Sequence, residues 1–332
     1  MKLLICFKWL RCSLVTSFVC CALLLPGMAF SQNDSTATGD DATAPVKAKP
    51  KVKPVKNTFE SVWIIDNQTV MVPIKKTFEM DIMHRFGTVN KGYEDFWGFF
   101  APSNIRLGFS YTPIDRLNIG IGITKFNMLW DASAKYAIIT QTKGKYPVSV
   151  SFYSNVAMDT RKDPTIYDGS NINHTSDRLV FFNQLIIARK INNKLSIQIS
   201  PSLSHQNAVG GYYTKNDSTG KEIFKTMKNE HFAIAVAARY KMTNVTSLIL
   251  NYDQPLTSHP TNNPNPNISF GVEFNTSNHS FQLFLGNYSL LSNARNNLFN
   301  ENSPLSYTDA AGEKVKGGKF LIGFNITRLW NY

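Results

Sequence analysis

The sequence predicts an all-β fold, a transmembrane antiparallel up-and-down β-barrel of about twelve strands. Stretches of about ten residues alternate polar and apolar side chains, as in Leu195–Gln206. Such a stretch is long for a soluble strand and suits one that crosses a membrane at a tilt. Tight connections alternate along the chain with longer ones, as in bacterial outer-membrane barrels. The chain of 332 residues is also long enough for one barrel with its loops.

The first 31 residues are predicted to be a secretory signal peptide. A basic start precedes an apolar run from Leu14 to Leu25, and the small residues Ala29 and Ser31 precede the expected cleavage point. An uncleaved membrane anchor is the alternative. Disulfides, cysteine metal sites and thiol catalysis are not expected in the mature chain, because every cysteine lies in this leader: Cys6, Cys12, Cys20 and Cys21.

Residues 32–58 are predicted to be a disordered Lys/Pro-rich periplasmic segment. Lysine and proline recur closely between Pro45 and Lys56, which favours an extended, solvated chain. This segment is either a simple tether or an arm that contacts the cell wall, anionic lipid or a periplasmic partner protein. The net charge of +12 could also indicate nucleic-acid binding. An exported chain rarely meets nucleic acid, so anionic head groups or acidic solutes are the expected contacts.

Residues 59–332 are predicted to form the barrel. Their first part, Phe59 to Pro73, has two short apolar runs around Asp66 and Asn67, which are turn residues. This part is expected to form a small hairpin, to enter the barrel or to cap its periplasmic mouth. The alternation then predicts twelve strands: Thr77–Phe86, Asn104–Thr112, Arg116–Lys125, Asp131–Thr140, Val148–Met158, Arg178–Lys190, Lys194–Gln206, Glu230–Lys241, Val245–Asp253, Asn267–Asn275, His279–Tyr288 and Lys319–Trp330.

The connections between these strands fall into two classes. One class is always tight, as at residues 191–193 and 242–244, and the other is mostly long, as at residues 207–229 and 289–318. Short periplasmic turns and long outer loops are typical of outer-membrane barrels, and an even number of strands places both termini in the periplasm. A soluble β-sandwich, the alternative fold, would not require this parity.

Each predicted strand has one apolar face and one polar or small face, and the second is typical of a lumen rather than a packed core. Projecting the alternation inward gives seven charged lumen candidates: Glu79, Asp81, Arg85, Arg106, Lys135, Arg239 and Glu273. These charges either neutralise one another in a plug network or act as a selectivity filter. In an open lumen, the four basic members would favour anionic solutes.

Several segments resemble a family of outer-membrane barrels from the Bacteroidetes lineage that is defined as a domain of unknown function. The resemblance covers about Phe59 to Tyr332 and implies a fold and an outer-membrane location, but no activity. The segments that carry it are His84–Gly87, Ile105–Gly108, Asp115–Leu117, Leu185–Lys190 and Gly323–Arg328.

A lipid hydrolase is the enzymatic alternative. Outer-membrane phospholipases are also twelve-stranded and use a histidine and a serine two residues apart, with an asparagine orienting the imidazole. His174 and Ser176 have this spacing and Asn183 follows, but His174 lies in a polar loop where such residues are common. Asp163 and Asp168 of the same loop could hold calcium, although the EF-hand pattern is missing. No phosphate-binding glycine loop is present, and neither a metal nor a cofactor is expected.

The sequence therefore favours a non-enzymatic outer-membrane barrel that passes or binds a small, anionic or hydrophobic ligand. Its expected partners are outer-membrane lipid and this ligand. A structural or surface-interaction barrel is the alternative, in which loop aromatic residues would bind a partner: Tyr212, Tyr213, Phe299 and Tyr307.

Overall fold

Twelve antiparallel strands form a closed barrel in the computed structural model, which describes residues 53–162, 172–215, 222–260, 263–308 and 314–331. Each strand pairs with its neighbours in sequence, and the last pairs with the first. The strands are β1 (Thr77–Thr88), β2 (Asn104–Ile114), β3 (Leu117–Thr124), β4 (Leu129–Ile139), β5 (Ser149–Asp159), β6 (Leu179–Lys190), β7 (Leu195–Gln206), β8 (Glu230–Lys241), β9 (Thr246–Pro255), β10 (Asn267–Asn275), β11 (His279–Gly286) and β12 (Leu321–Asn331).

The predicted fold is confirmed, and each predicted strand ends within two residues of an observed one. The apolar face of the alternation points away from the barrel axis, where Phe109, Ile121 and Phe270 are exposed. Because a membrane barrel presents this face to lipid, exposure of large apolar side chains along whole strands is expected. The signal peptide and most of the Lys/Pro-rich segment lie outside the described residues, so both stay predictions.

Short polar side chains close tight turns at one end of the barrel; the short β3–β4 connection, residues 125–128, lies at the opposite end. Asn192 Oδ1 accepts hydrogen bonds from the amides of Lys194 (2.8 Å) and Leu195 (2.9 Å). Thr243 Oγ1 accepts one from the amide of Thr246 (2.9 Å). These are the side-chain turns that Asn and Thr favour. We call this end of the barrel the short-turn end and the opposite end the long-loop end.

The loops of the long-loop end contain structure that the alternation does not predict. Two short hairpins pair Gly211–Lys215 with Glu222–Thr226 and Tyr307–Thr308 with Lys314–Val315. Short stretches of 3-10 helix occupy Val89–Asp95 (kinked at Gly92), Phe126–Met128 and Thr175–Arg178, and one α-helix, α1, spans Asn293–Phe299. Of the helices in the described residues, none is long and apolar enough to cross a membrane.

Two segments fill the barrel interior. Residues 58–70, the inner plug, enter from the short-turn end and form a hairpin that pairs Trp63–Ile64 with Asn67–Gln68. All of its residues except Glu60 are buried. From the long-loop end, α1 extends into the barrel and packs against β6, β7 and β8. The segment at Phe59–Pro73 therefore both forms a hairpin and enters the barrel.

The inner plug converts part of the lumen into a hydrophobic core. Its apolar side chains pack against inward apolar residues of the wall, notably Tyr153, Phe182, Ile186 and Phe284. The inner face, which the sequence predicts to be polar or small, therefore also carries large apolar side chains where the wall contacts the plug. These side chains face the plug instead of water, and burying apolar surface between the two stabilises the closed state.

Candidate functional site

The candidate site is the plugged lumen, where inward amide side chains bind the backbone of the inner plug. Gln282 Nε2 donates to the carbonyl of Trp63 (2.8 Å), and Gln282 Oε1 accepts from the amide of Ile65 (3.0 Å). On the opposite strand of the hairpin, Gln198 Nε2 donates to the carbonyl of Gln68 (2.8 Å), and its Oε1 accepts from the amide of Val70 (3.2 Å). Each glutamine thus binds one buried carbonyl and one buried amide of the plug backbone. Without a partner, the burial of these groups would cost free energy.

An ion pair fixes the tip of the inner plug. Asp66 accepts from Arg85 Nη2 at 2.5 Å, and both side chains are buried. The guanidinium of Arg85 also stacks over the ring of Phe284, with its Cζ 4.5 Å from the ring centroid. From the long-loop end, Asn296 Nδ2 of α1 donates to the second carboxylate oxygen of Asp66 (2.5 Å), and Asn293 donates to its carbonyl (2.8 Å). The tip therefore joins the wall to α1.

The residue after the tip binds a second group of wall side chains. Asn67 Nδ2 donates to Asn251 Oδ1 (2.9 Å) and to Asp253 Oδ1 (2.8 Å), while Gln184 Nε2 donates to Asn67 Oδ1 (2.9 Å). All four side chains belong to buried residues. The full set of hydrogen bonds defines one position for the hairpin, because any slip would leave buried polar atoms unpaired.

Lys135 holds the returning strand of the hairpin. Its Nζ donates to Gln68 Oε1 (2.6 Å) and to the carbonyl of Thr69 (3.3 Å). Glu79 of β1, which is also buried, interacts electrostatically with the Lys135 side chain. These two predicted lumen residues are therefore neighbours inside the barrel.

Arg106 lies between two carboxylates on the inner wall. Its Nη1 donates to Asp81 (2.7 Å), and its Nη2 and Nε donate to Asp131 (2.8 and 3.0 Å). The guanidinium also lies 5.5 Å from the ring centroid of Trp63 in the plug. Such bidentate pairing orients the guanidinium more strictly than a single ion pair does.

Glycines make room for this cluster. A Cβ at Gly108 would overlap the Asp81 carboxylate and Arg106 Nη1, and one at Gly122 would overlap Arg106 Nη2 and Asp131. Glycine at these two positions of β2 and β3 therefore leaves room for the long Arg106 side chain.

Glu60, near the start of the plug, lies beside the two remaining predicted lumen residues, Arg239 and Glu273. Arg239 Nε donates to Glu273 Oε1 (2.7 Å), and Arg239 Nη1 lies 3.9 Å from Glu60 Oε1 of the plug. Gln282 Nε2 also donates to Glu273 Oε2 (2.9 Å). The structure thus places all seven predicted lumen residues inside the barrel, in four groups around the inner plug.

Four inward carboxylates were missed by the sequence analysis: Asp66, Asp131, Asp159 and Asp253. The alternation of β4 places Asp131 on the same face as Lys135, so a stricter projection would have found it. Asp253 shares the face of Asn251 in the same way. Asp159 lies one residue beyond the predicted end of its strand, and Asp66 was recognised only as a turn residue.

A small cavity lies inside the barrel beside the inner plug. It lies between the plug, the Arg106 cluster and the start of α1 and has a volume of about 20 Å³, which is room for about one water molecule. Several inward hydroxyl groups in the described chain have no protein partner, namely those of Ser200, Ser204, Ser247 and Ser280. Polar atoms of this kind are normally satisfied by water. The cavity beside Arg106 is therefore too small for a solute larger than water.

The structure does not bring the predicted hydrolase residues together. His174 caps the 3-10 turn Thr175–Arg178, where its amide donates to Asp177 Oδ2 (2.9 Å). Asn183 lies on β6 and accepts a hydrogen bond from Ser154 Oγ of β5 (2.9 Å). The proposed calcium ligands Asp163 and Asp168 lie outside the described residues. In the part that is described, no group of three or more His, Cys, Asp and Glu side chains could hold a metal ion.

Residues 59–330 match one family model, described as "Membrane bound beta barrel domain (DUF5777)". The chain belongs to this family. The match covers the whole barrel together with the inner plug, so the plug segment is part of the family domain. The resemblance drawn from the sequence is confirmed for a membrane-bound barrel domain of unknown function, and the Bacteroidetes origin stays a prediction. No curated protein matches the chain in sequence.

Solved outer-membrane channels resemble the barrel in outline. The NanC porin is 9% identical with a TM-score of 0.42, covering 77% of this chain and 99% of its own. The KdgM porin is 8% identical with a TM-score of 0.40, over 75% of this chain and 98% of its own. An outer membrane channel from Pseudomonas putida F1 is 12% identical with a TM-score of 0.42, over 78% and 97%. At these TM-scores, we draw no functional argument from the resemblance.

Proposed function

We propose that this outer-membrane barrel is a gated passage for small polar solutes, closed by the inner plug. The observation that carries this proposal is the path of the chain. Both ends of the plug leave the lumen at the short-turn end, where residues 53–57 contact the β4–β5 turn and Lys76 donates its amide to the carbonyl of Thr112 (2.8 Å). The plug can therefore leave the barrel as a loop, without threading a chain end through the wall.

The character of the wall supports passage once the plug has moved. The groups that bind the plug are mostly amides, hydroxyls and ion pairs, and water can replace the plug at each of them. Twelve strands enclose a narrower lumen than the sixteen or eighteen of general porins. Small solutes are therefore the expected cargo.

The anion preference expected from the four basic lumen residues does not follow from the wall as observed. Asp81 and Asp131 pair with Arg106, and Glu273 pairs with Arg239. Glu79 and Asp253 are further buried carboxylates of the wall, and Asp159 is itself paired with Arg161 at 2.7 Å. The open wall would carry nearly balanced charge, so we propose weak ion selectivity. We also propose that the short-turn end faces the periplasm, as short turns do in outer-membrane barrels.

A surface-interaction barrel is the second candidate, favoured by exposed aromatic side chains at the long-loop end. Tyr93 and Phe100 are each 82% exposed between β1 and β2, and Tyr213 is 70% exposed in the 211–226 hairpin. Exposed aromatic side chains of this kind are common at binding surfaces. Deleting residues 211–226 separates the two functions, because solute passage does not depend on this hairpin.

Swelling of liposomes in neutral sugars of increasing size tests the proposed passage. The native chain is expected to give slow swelling, and a variant lacking residues 58–70 is expected to swell at least about tenfold faster with small sugars only. Heat-modifiable migration in gels shows whether each variant has folded as a barrel. A folded, plug-deleted barrel that admits no sugar would contradict the proposal.

A further inference from the structure

Residues 53–57, the tether, are bound to the short-turn end directly before the plug begins. The amide of Val55 donates to the carbonyl of Gln141 (2.7 Å), and Pro54 forms a β-bridge with Thr142. Lys190 Nζ donates to the carbonyls of Lys56 (3.1 Å) and Asn57 (3.2 Å). Because the tether continues into the plug, its attachment and the position of the plug are mechanically coupled.

A groove of about 430 Å³ lies beside this attachment and opens to solvent. Three of its lining side chains are basic, and the lining contains no carboxylate. Lys145 Nζ also lies 5.1 Å from the ring centroid of Tyr146, so this lysine is positioned over the turn. The lining residues are Val55, Gln141, Thr142, Lys143, Gly144, Lys145, Tyr146, Pro147 and Arg189.

The tether brings further positive charge to this groove. Lys53 and Lys56 flank the lining residue Val55 and are exposed. Glu60 is the nearest carboxylate along the chain, but it accepts from Asn57 Nδ2 (3.2 Å) and lies beside Arg239. A basic segment thus contacts a basic turn with no acidic group in the groove. Like charges repel one another, so an anion bound between the two basic segments would favour the attachment.

We propose that the groove binds a phosphate group and that the bound anion holds the tether against the β4–β5 turn. Lys143, Lys145 and Arg189 supply the charge-assisted donors for the phosphate oxygens. The phosphate is either a free anion or the head group of a phospholipid at the membrane surface, which the three cations would recognise by the same chemistry. The consequence for gating, that the anion favours the closed plug, rests on the proposed function.

Calorimetric titration of the detergent-solubilised protein with inorganic diphosphate tests the site directly. The triple variant Lys143→Gln, Lys145→Gln and Arg189→Gln is expected to bind at least about tenfold more weakly. The matched control removes the same charge from other positions at the short-turn end: Lys75→Gln, Arg116→Gln and Lys241→Gln. This control is expected to stay within about twofold of the native protein. Equal weakening in both triple variants, or no binding by the native protein, would overturn the site.

Tryptic cleavage after Lys56 reports whether the tether is attached, and it identifies the source of the phosphate. Cleavage of the native protein is measured in phosphatidylcholine vesicles, in the same vesicles with diphosphate, and in phosphatidylglycerol vesicles. Slower cleavage with diphosphate alone supports a free anion, and slower cleavage in phosphatidylglycerol supports a lipid head group. Unchanged cleavage in both overturns the role of the anion in holding the tether.

The two proposals fail separately. If diphosphate binds and protects the tether while solute passage is unchanged, the site stands and the link to gating is wrong. If the plug-deleted barrel passes solute but diphosphate does not bind the native protein, the passage stands and the anion site is wrong.

Discussion

Asp66→Asn is the substitution that should most strongly favour the open state. The Asp66 carboxylate pairs with Arg85 at 2.5 Å and accepts from Asn296 at 2.5 Å. Arg85 is fully buried and Asp66 is 5% exposed. The substitution keeps the size of the side chain but leaves the guanidinium without its counter-charge whenever the plug is in place.

Removing one partner of a buried ion pair costs about 3–5 kcal/mol, because the remaining charge is desolvated and unpaired. In the open state, Arg85 faces a water-filled lumen and the cost disappears. Each 1.4 kcal/mol is a factor of ten in an equilibrium constant, so the ratio of open to closed plug should rise about 100- to 4,000-fold. The double variant with Arg85→Met should reverse most of this change, because no buried charge is then left unpaired.

Open probability in planar bilayers measures this ratio directly. Glu94→Gln is the matched control, since Glu94 is an exposed carboxylate in the β1–β2 loop. The control should leave the open probability unchanged. If Asp66→Asn opens no more often than the control while both migrate as folded barrels, the ion pair does not hold the plug closed.

Three further predictions follow from the wall and the loops. In a plug-deleted barrel, Arg106→Ala should shift the reversal potential toward cation selectivity, because Asp81 and Asp131 lose their shared counter-charge; an unchanged potential would place the cluster outside the conduction path. Gly122→Leu should lower the thermal unfolding midpoint of the native barrel by several degrees by displacing Arg106, whereas Gly286→Ala, where the nearest atom to an added Cβ is 3.3 Å away, should lower it much less. Burial lowers the pKa of His259 below 6.5, and Lys228 lowers it further. The unfolded loop therefore takes up the proton first, so protection of residues 256–260 from hydrogen exchange should be full above pH 6.5 and fall below it. His259→Gln should weaken this dependence, leaving the part due to His231, whose ring stacks on that of His259.

The barrel could be predicted from the sequence because its signal is local. A period of two over ten residues determines which side chains face lipid. The alternation of short and long connections indicates an even number of strands. Arg106 and Lys135 were assigned inward by this rule alone. The same rule would have placed Asp131 inward, had the strand been projected over its full length.

The plug could not be predicted in the same way, because its contacts join distant parts of the chain. Asn67 bonds to Asn251, and Ile65 bonds to Gln282. The glutamines at 198 and 282 have the pattern of side chains facing water, and nothing local distinguishes water from a buried backbone as their partner. For the same reason, α1 was missed: its seven residues show no amphipathic period long enough to detect.

Single-channel conductance of the native protein and of the variant lacking residues 58–70 tests the central claim most directly. The account predicts brief, rare openings for the native protein and a steady conductance with weak ion selectivity for the variant. A variant that is folded as a barrel but stays non-conducting would contradict it, because the plug would then not be what closes the lumen. A steady conductance already present in the native protein would contradict it equally.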